Sequence, residues 1–115
     1  MANSSTNQLT AVTQSVLDTA LSHLKNCSMR CDRYRADLAE LDAQRRKATC
    51  DVGNIALSAG VDILWFQWAE KRRSALNKDL ARALVEEEHA RAKAKRAFGR
   101  NQALSKILGQ SVHRR

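Results

Sequence analysis

The chain has 115 residues, a length that fits one domain, and a net charge of +8 at neutral pH. It contains no proline and only four glycines, and residues that favour strands are sparse. This composition excludes a sheet-rich fold and predicts an all-α protein. The most apolar run, residues 55–69, is too short and too polar to predict a membrane span. No apolar core precedes the first basic residue, Lys25, so we expect no signal peptide.

The first predicted element is a long helix over about residues 8–49, preceded by a short frayed polar segment. Small and apolar residues recur there at steps of three and four, the pattern of a coiled-coil seam. At ~1.5 Å per residue such a helix is on the order of 60 Å long. The predicted seam consists of Leu17, Ala20, Leu24, Cys27, Cys31, Tyr34, Leu38, Leu41, Arg45 and Ala48.

The stretch "CDVGNIALSAGVD", residues 50–62, interrupts the heptad pattern and carries two of the four glycines. We interpret it as the interior loop, over about residues 50–61. Asp62, or alternatively Ser58, is expected to cap the second helix by accepting a backbone N–H hydrogen bond.

The second predicted helix covers about residues 62–108, and Gly109 is expected to end it. Its heptad pattern has one irregular, stutter-like step, from Leu76 through Leu80 to Ala83. The predicted seam consists of Trp65, Ala69, Arg72, Leu76, Leu80, Ala83, Glu87, Ala90, Ala94, Ala97, Asn101, Leu104 and Leu108.

Two long helices joined by one loop predict an antiparallel coiled-coil hairpin, a single domain over residues 1–115. With the loop centred near residue 56, paired residue numbers should sum to about 112. This register places Leu38 near Leu76 and Leu24 near His89. The chain ends are then expected at one tip of the hairpin, and the aromatic residues near the other.

Three of the five aromatic residues, Trp65, Phe66 and Trp68, lie within "ILWFQWAEKRR", residues 63–73. The simpler interpretation is that these side chains pack between the two helices and close the hairpin near its loop. On a helix, however, the three side chains point in directions that span more than half of the circumference. Each helix of a two-helix hairpin buries only one stripe of side chains. At least one should therefore face outwards, beside Arg72, as an anchor for a protein partner.

His23, Cys27 and Cys31 recur every four residues, and the predicted register brings His89 close to them. Two histidines and two cysteines would suit Zn²⁺. The three residues on the first helix, however, spread over roughly 12 Å of helix axis, too far to surround one ion. We therefore predict buried free thiols of a reducing cytoplasm, and neither a metal nor a cofactor.

Positive charge is concentrated in the second half: residues 51–115 carry thirteen Lys and Arg against seven Asp and Glu, a charge of +6. Its densest part follows Glu86–Glu88, where Glu87 and Arg91 have the spacing of an ion pair. The basic residues form either a solvated face or a surface for an acidic or phosphate-bearing partner. Phe98 is the one aromatic residue there, and no nucleic-acid reader motif is evident. Gly99, inside the helix, suggests a bend or a close backbone approach.

No phosphate-binding glycine loop, paired carboxylates or nucleophile–base arrangement is recognisable, and a thin hairpin offers no deep pocket. We therefore expect that the chain is not an enzyme.

The segments "LWFQWAEKRRSALNKDLARAL" and "RAFGRNQALSKIL" resemble the FliJ/YscO family, the cytoplasmic stalk proteins of bacterial flagellar and injectisome type III export machines. The resemblance covers about residues 61–108, whereas the first helix matches in heptad character alone and the chain is shorter than familiar members. It implies a stalk that couples a hexameric export ATPase to the membrane export gate and handles export chaperones. Such a stalk is cytoplasmic and peripheral to the inner-membrane export apparatus.

Carried onto the matching segments, the resemblance implies that Arg96, Phe98 and Arg100 contact the ATPase. It implies that Trp65, Phe66, Trp68 and Arg72 meet the gate or a chaperone. The alternative is a basic helical nucleic-acid-binding protein, architectural or ribosome-associated. Its binding would weaken steeply with salt, because phosphate contacts release counterions. A self-associating coiled coil is compatible with either interpretation.

Overall fold

The computed structural model describes residues 2–50 and 55–113, and the side chains of residues 4–49 and 63–110. Every described residue is helical. Helix α1 is Ala2–Cys50 and helix α2 is Ile55–His113. The prediction of an all-α hairpin of two long helices is thereby confirmed. Neither helix contains a segment long and apolar enough to cross a membrane, within the part of the chain that is described.

Both helices extend beyond their predicted bounds. Helix α1 begins at Ala2 instead of residue 8, and the Thr10 hydroxyl in this first part donates a hydrogen bond to the Thr6 carbonyl at 2.8 Å. Helix α2 continues past Gly109 to His113, so the predicted glycine stop is wrong. Gly109 does not have a positive φ, the backbone conformation that a glycine stop requires.

Most of the predicted loop is helical. Helix α2 begins at Ile55, so Asp62 and Ser58 lie inside it and neither caps its N-terminus. A break in the heptad pattern ends the seam, but it does not end a helix whose local residues still favour helical geometry. The middle of the predicted loop, residues 51–54, lies outside the described residues.

The predicted seams are confirmed at nearly every position, since their side chains are buried or half-buried. Arg45 and Arg72 are the exceptions, and both are exposed. In the second helix Arg73 is half-buried in place of Arg72, with its Nη1 atom 3.8 Å from Oδ1 of Asp42. The seam therefore makes two consecutive four-residue steps around Ala69. This is where the stutter occurs, and not at Leu76 to Ala83.

The contacts between residues divide the chain into two compact units. Unit 1 combines residues 1–28 with residues 86–115, and unit 2 is Met29–Val85. In unit 1 one cluster of buried residues consists of Leu17, Ala20, Ala94 and Ala97, and Leu24 packs against it.

Unit 1 also has a polar seam position. The Asn101 side chain is half-buried, its Nδ2 atom donates to Oε1 of Gln14 at 3.3 Å, and its Oδ1 atom accepts from the Thr13 hydroxyl at 3.3 Å. A polar residue at a seam position favours one register, because a shifted register leaves it unpaired.

The core of unit 2 contains larger side chains. Leu41, Ala69 and Leu76 are buried together, with Tyr34, Leu38 and Trp65 packed against them. Arg45 and Glu70 form an ion pair across the two helices, with Nη1 of Arg45 3.2 Å from Oε1 of Glu70.

The register differs from the predicted one. Cross-helix partners such as Arg45–Glu70, Asp42–Arg73 and Gln14–Asn101 have residue numbers that sum to 115, against the predicted 112. A shift of three residues is nearly one helical turn, so the same faces meet while the individual partners change. His89 is exposed, and Leu24 packs against the cluster that contains Ala94 and Ala97.

Gly99 has no neighbour that would prevent substitution. A Cβ atom built at this residue meets nothing within 4 Å, and the backbone there does not have a positive φ. The predicted close approach is therefore absent among the described residues. We expect Gly99→Ala to raise the free energy of unfolding by about 0.5–1 kcal/mol, because alanine loses less backbone entropy in a helix. Urea denaturation followed by circular dichroism measures this change, and a destabilised variant would contradict it.

Candidate protein-interaction surfaces

Trp65 contacts both other members of the aromatic group formed by Trp65, Phe66 and Trp68. Its side chain is half-buried and packs against the cluster of Leu41, Ala69 and Leu76. The Trp65 and Phe66 rings meet edge to face, with centroids 5.3 Å apart. The ring of Trp68 lies 6.5 Å from that of Trp65. Trp65 therefore packs against the core of the hairpin, as the simpler interpretation of the aromatic group expected.

Phe66 is covered by a charged group from the other helix. The Arg45 guanidinium carbon lies 5.8 Å from the centroid of the Phe66 ring, within the range of a cation–π contact. The same guanidinium pairs with Glu70. Phe66 is thus half-buried and packed within its own unit, and it offers less surface to a partner than the sequence suggested.

The expectation that one of the three aromatic residues faces outwards is confirmed for Trp68, whose side chain is 52% exposed. Leu64, one turn earlier on the same face, is 69% exposed, and Arg72, one turn later, is also exposed. We call these three residues the Trp68 surface. An aromatic side chain held on a helix between a leucine and an arginine is typical of an anchor for a protein partner.

Unit 1 has an open groove of about 610 Å³ between its two helices. One wall carries three basic side chains of α2, and the other carries polar side chains of α1. We call it the basic groove. Its lining consists of Ser15, Val16, Thr19, Ala20 and His23 from α1, and Ala90, Lys93, Arg96, Ala97 and Arg100 from α2.

The structure brings Arg96 and Arg100 together in this groove but separates Phe98 from them. Phe98 is two positions away from each arginine, which is ~200° around the helix. Its side chain is 51% exposed and does not line the groove. The three residues that the resemblance assigned to one partner therefore lie on opposite flanks of α2.

Cys27 and Cys31 are buried, as the sequence predicted, and neither forms a disulfide with a described residue. The Sγ atom of Cys27 lies 3.8 Å from Nε2 of His23. His89 is exposed and does not complete a ligand set. Among the described residues, no three histidine, cysteine or acidic side chains are placed to hold a metal ion.

The two segments from which the sequence predicted a likeness to the FliJ/YscO family, "LWFQWAEKRRSALNKDLARAL" and "RAFGRNQALSKIL", both lie within helix α2. They contain the Trp68 surface and part of the basic groove. Heptad spacing is common to many coiled coils, so it does not identify a family by itself. No protein-family model, curated protein or solved structure matches this chain.

Proposed function

We propose that the chain is a non-enzymatic coiled-coil stalk of a bacterial flagellar or type III protein export apparatus. In this role it couples the hexameric export ATPase to the membrane export gate, and export chaperones are further partners. It acts on the cytoplasmic side, peripheral to the membrane. The proposal combines the family resemblance of residues 61–108 with the surfaces that the hairpin presents.

The observation that carries the proposal is the exposure of Trp68. Trp65, three positions earlier, is fixed against the core of unit 2, so the helix that presents Trp68 is held in place. Leu64 and Trp68 together expose an apolar area next to a charged side chain, Arg72. Covering such an area releases water and stabilises a complex, and a buried tryptophan commonly contributes much of the binding energy. We assign this surface to the gate or to a chaperone.

The basic groove and Phe98 are assigned to the ATPase. Arg96 and Arg100 lie on one flank of α2 and Phe98 lies on the other, so a flat partner cannot cover all three. A hexameric ring around the helices would contact both flanks at once. Insertion of unit 1 into such a ring accounts for residues that point in opposite directions.

The alternative function is nucleic-acid binding, and the basic groove is the observation that favours it. Lys93, Arg96 and Arg100 line one wall, and the hydroxyls of Ser15 and Thr19 lie on the other. These groups suit phosphate oxygens. Among the residues whose side chains are described, no Phe, Tyr or Trp side chain lines the groove to stack on bases. Stacking contributes much of the affinity of single-strand-binding proteins, and this favours the stalk.

Affinity capture from nuclease-treated lysate of the native cells tests the proposal. We expect the tagged chain to retain a hexameric export ATPase or a gate subunit. Trp68→Ala should reduce recovery of the gate or chaperone by about tenfold or more, since an interface tryptophan commonly contributes ~2 kcal/mol or more. The captured proteins are identified and quantified by mass spectrometry.

The matched control is Val85→Ala, which also truncates an exposed apolar side chain of α2 but lies outside the Trp68 surface. It should leave recovery unchanged. Partners that disappear on nuclease treatment, with nucleic-acid-associated proteins alone recovered without it, would overturn the stalk proposal in favour of the alternative.

A further inference from the structure

We infer that the basic groove of unit 1 is a docking site for an acidic amphipathic helix of a partner protein. The inference rests on the lining of the groove, so it stands whether or not the chain is an export stalk. The bound helix would lie in the groove between α1 and α2 and form a third helix of the bundle in this unit.

The charge of the groove is unbalanced. Lys93, Arg96 and Arg100 lie on one wall, and none of the described side chains that line the groove is acidic. None of the three forms an ion pair with a residue whose side chain is described, whereas Arg91 on the same helix pairs with Glu87 and Glu88. Like charges at spacings of three and four residues repel each other along a helix. A partner with carboxylates would relieve this repulsion.

The base of the groove is apolar. Ala20, Ala90 and Ala97 are buried at its base, and Val16 on the rim is about half exposed. Alanine allows helix backbones to approach closely, and two packed helices lie roughly 8–10 Å apart. An apolar stripe on an incoming helix would lie over this base and cover the exposed part of Val16. Free phosphate or a nucleic-acid backbone would leave Val16 uncovered.

The spacing of the cations fits a helix. Lys93 and Arg100 are one heptad apart, which is ~10 Å along α2. Carboxylates one heptad apart on a neighbouring helix have the same separation. On the opposite wall the Thr19 hydroxyl donates to the Ser15 carbonyl at 2.9 Å, so its oxygen can still accept a hydrogen bond.

The test uses the full chain and a fluorescein-labelled helical peptide of about 20 residues, long enough to hold helical structure. The peptide carries leucine and alanine on one face and glutamate on both flanks. A second peptide with the same charge has glutamine in place of leucine. Fluorescence anisotropy at about 0.1 M salt measures both affinities. We expect the leucine peptide to bind, and to bind at least tenfold more tightly than the glutamine peptide.

Arg96→Glu combined with Arg100→Glu should weaken binding of the leucine peptide about 100-fold, since each reversal of a buried interface charge commonly changes affinity tenfold or more. The matched control is Lys95→Glu combined with Lys106→Glu. These two lysines are exposed on the same helix, outside the groove, and the control makes the same change in net charge. It should weaken binding less than threefold.

Three results would overturn the inference. They are failure of the leucine peptide to bind, equal weakening of its binding by the two double variants, and tighter binding of a single-stranded oligonucleotide through Arg96 and Arg100. Peptide binding without capture of an export ATPase or a gate subunit would retain the inference and reject the stalk. Capture of either protein without peptide binding would do the reverse.

Discussion

Ala94→Asp is expected to separate the two helices of unit 1 and to lower the free energy of unfolding by about 3 kcal/mol or more. Ala94 is 5% exposed and packs with Leu17, Ala20 and Ala97. A carboxylate introduced there would lie against apolar side chains. Arg91, one turn earlier, already pairs with Glu87 and Glu88. Denaturation by urea, followed by circular dichroism, measures the change.

Ala92→Asp is the control for this prediction, because Ala92 lies two positions away on the exposed side of the same helix. It introduces the same charge and the same loss of helix propensity, so the difference between the variants isolates burial. A difference below about 1 kcal/mol would mean that residue 94 does not face the other helix.

Leu76→Ala should destabilise the chain by about 2–5 kcal/mol, because it removes a large side chain from a packed core and leaves a cavity. Leu76 is 2% exposed and packs with Leu41 and Ala69 in unit 2. Thermal and urea denaturation both report the loss.

Leu21→Ala is the matched control, since it makes the same truncation at a side chain that is about half exposed. We expect it to change stability by less than about 1 kcal/mol. If Leu21→Ala is as destabilising as Leu76→Ala, the assignment of the seam in unit 2 is wrong.

The sequence predicted the buried faces well because heptad spacing and helical geometry use the same period. Burial of Leu17, Cys27, Leu76 and Ala94 follows from spacing alone. Heptad spacing did not predict whether arginine side chains at seam positions are buried or exposed. A long side chain can leave a seam position for solvent while its backbone stays on the inner face. This explains the exposed Arg45, and the stutter at Ala69 places Arg73 instead of Arg72 towards the other helix.

The ends of the helices were predicted less well. Glycines at residues 53 and 60 and the heptad break suggested a long loop, yet α2 begins at Ile55. Spacing reports which side of a helix is buried, and it carries little information on where a helix stops. The register was also predicted less well, because it depends on which side chains meet across the two helices, and spacing within one helix does not determine this.

The candidate surfaces were predicted in part. The outward position of Trp68 followed from counting directions around a helix, and the same count would have separated Phe98 from Arg96 and Arg100. The contact of Arg45 with Phe66 could not be predicted, since it joins two helices and depends on the correct register. The basic groove likewise requires both helices, because Ser15, Thr19 and His23 are far in sequence from Lys93.

The most direct measurement of the central claim is photo-crosslinking from residue 68 in the native cells. Trp68 is replaced by a benzophenone-bearing phenylalanine analogue, and Val85, exposed elsewhere on α2, is replaced in a control. We predict a covalent adduct at residue 68, and not at residue 85, with a gate subunit or a chaperone of a protein export apparatus. Adducts of equal yield at both residues, or an adduct with nucleic-acid-binding proteins alone, would contradict the account.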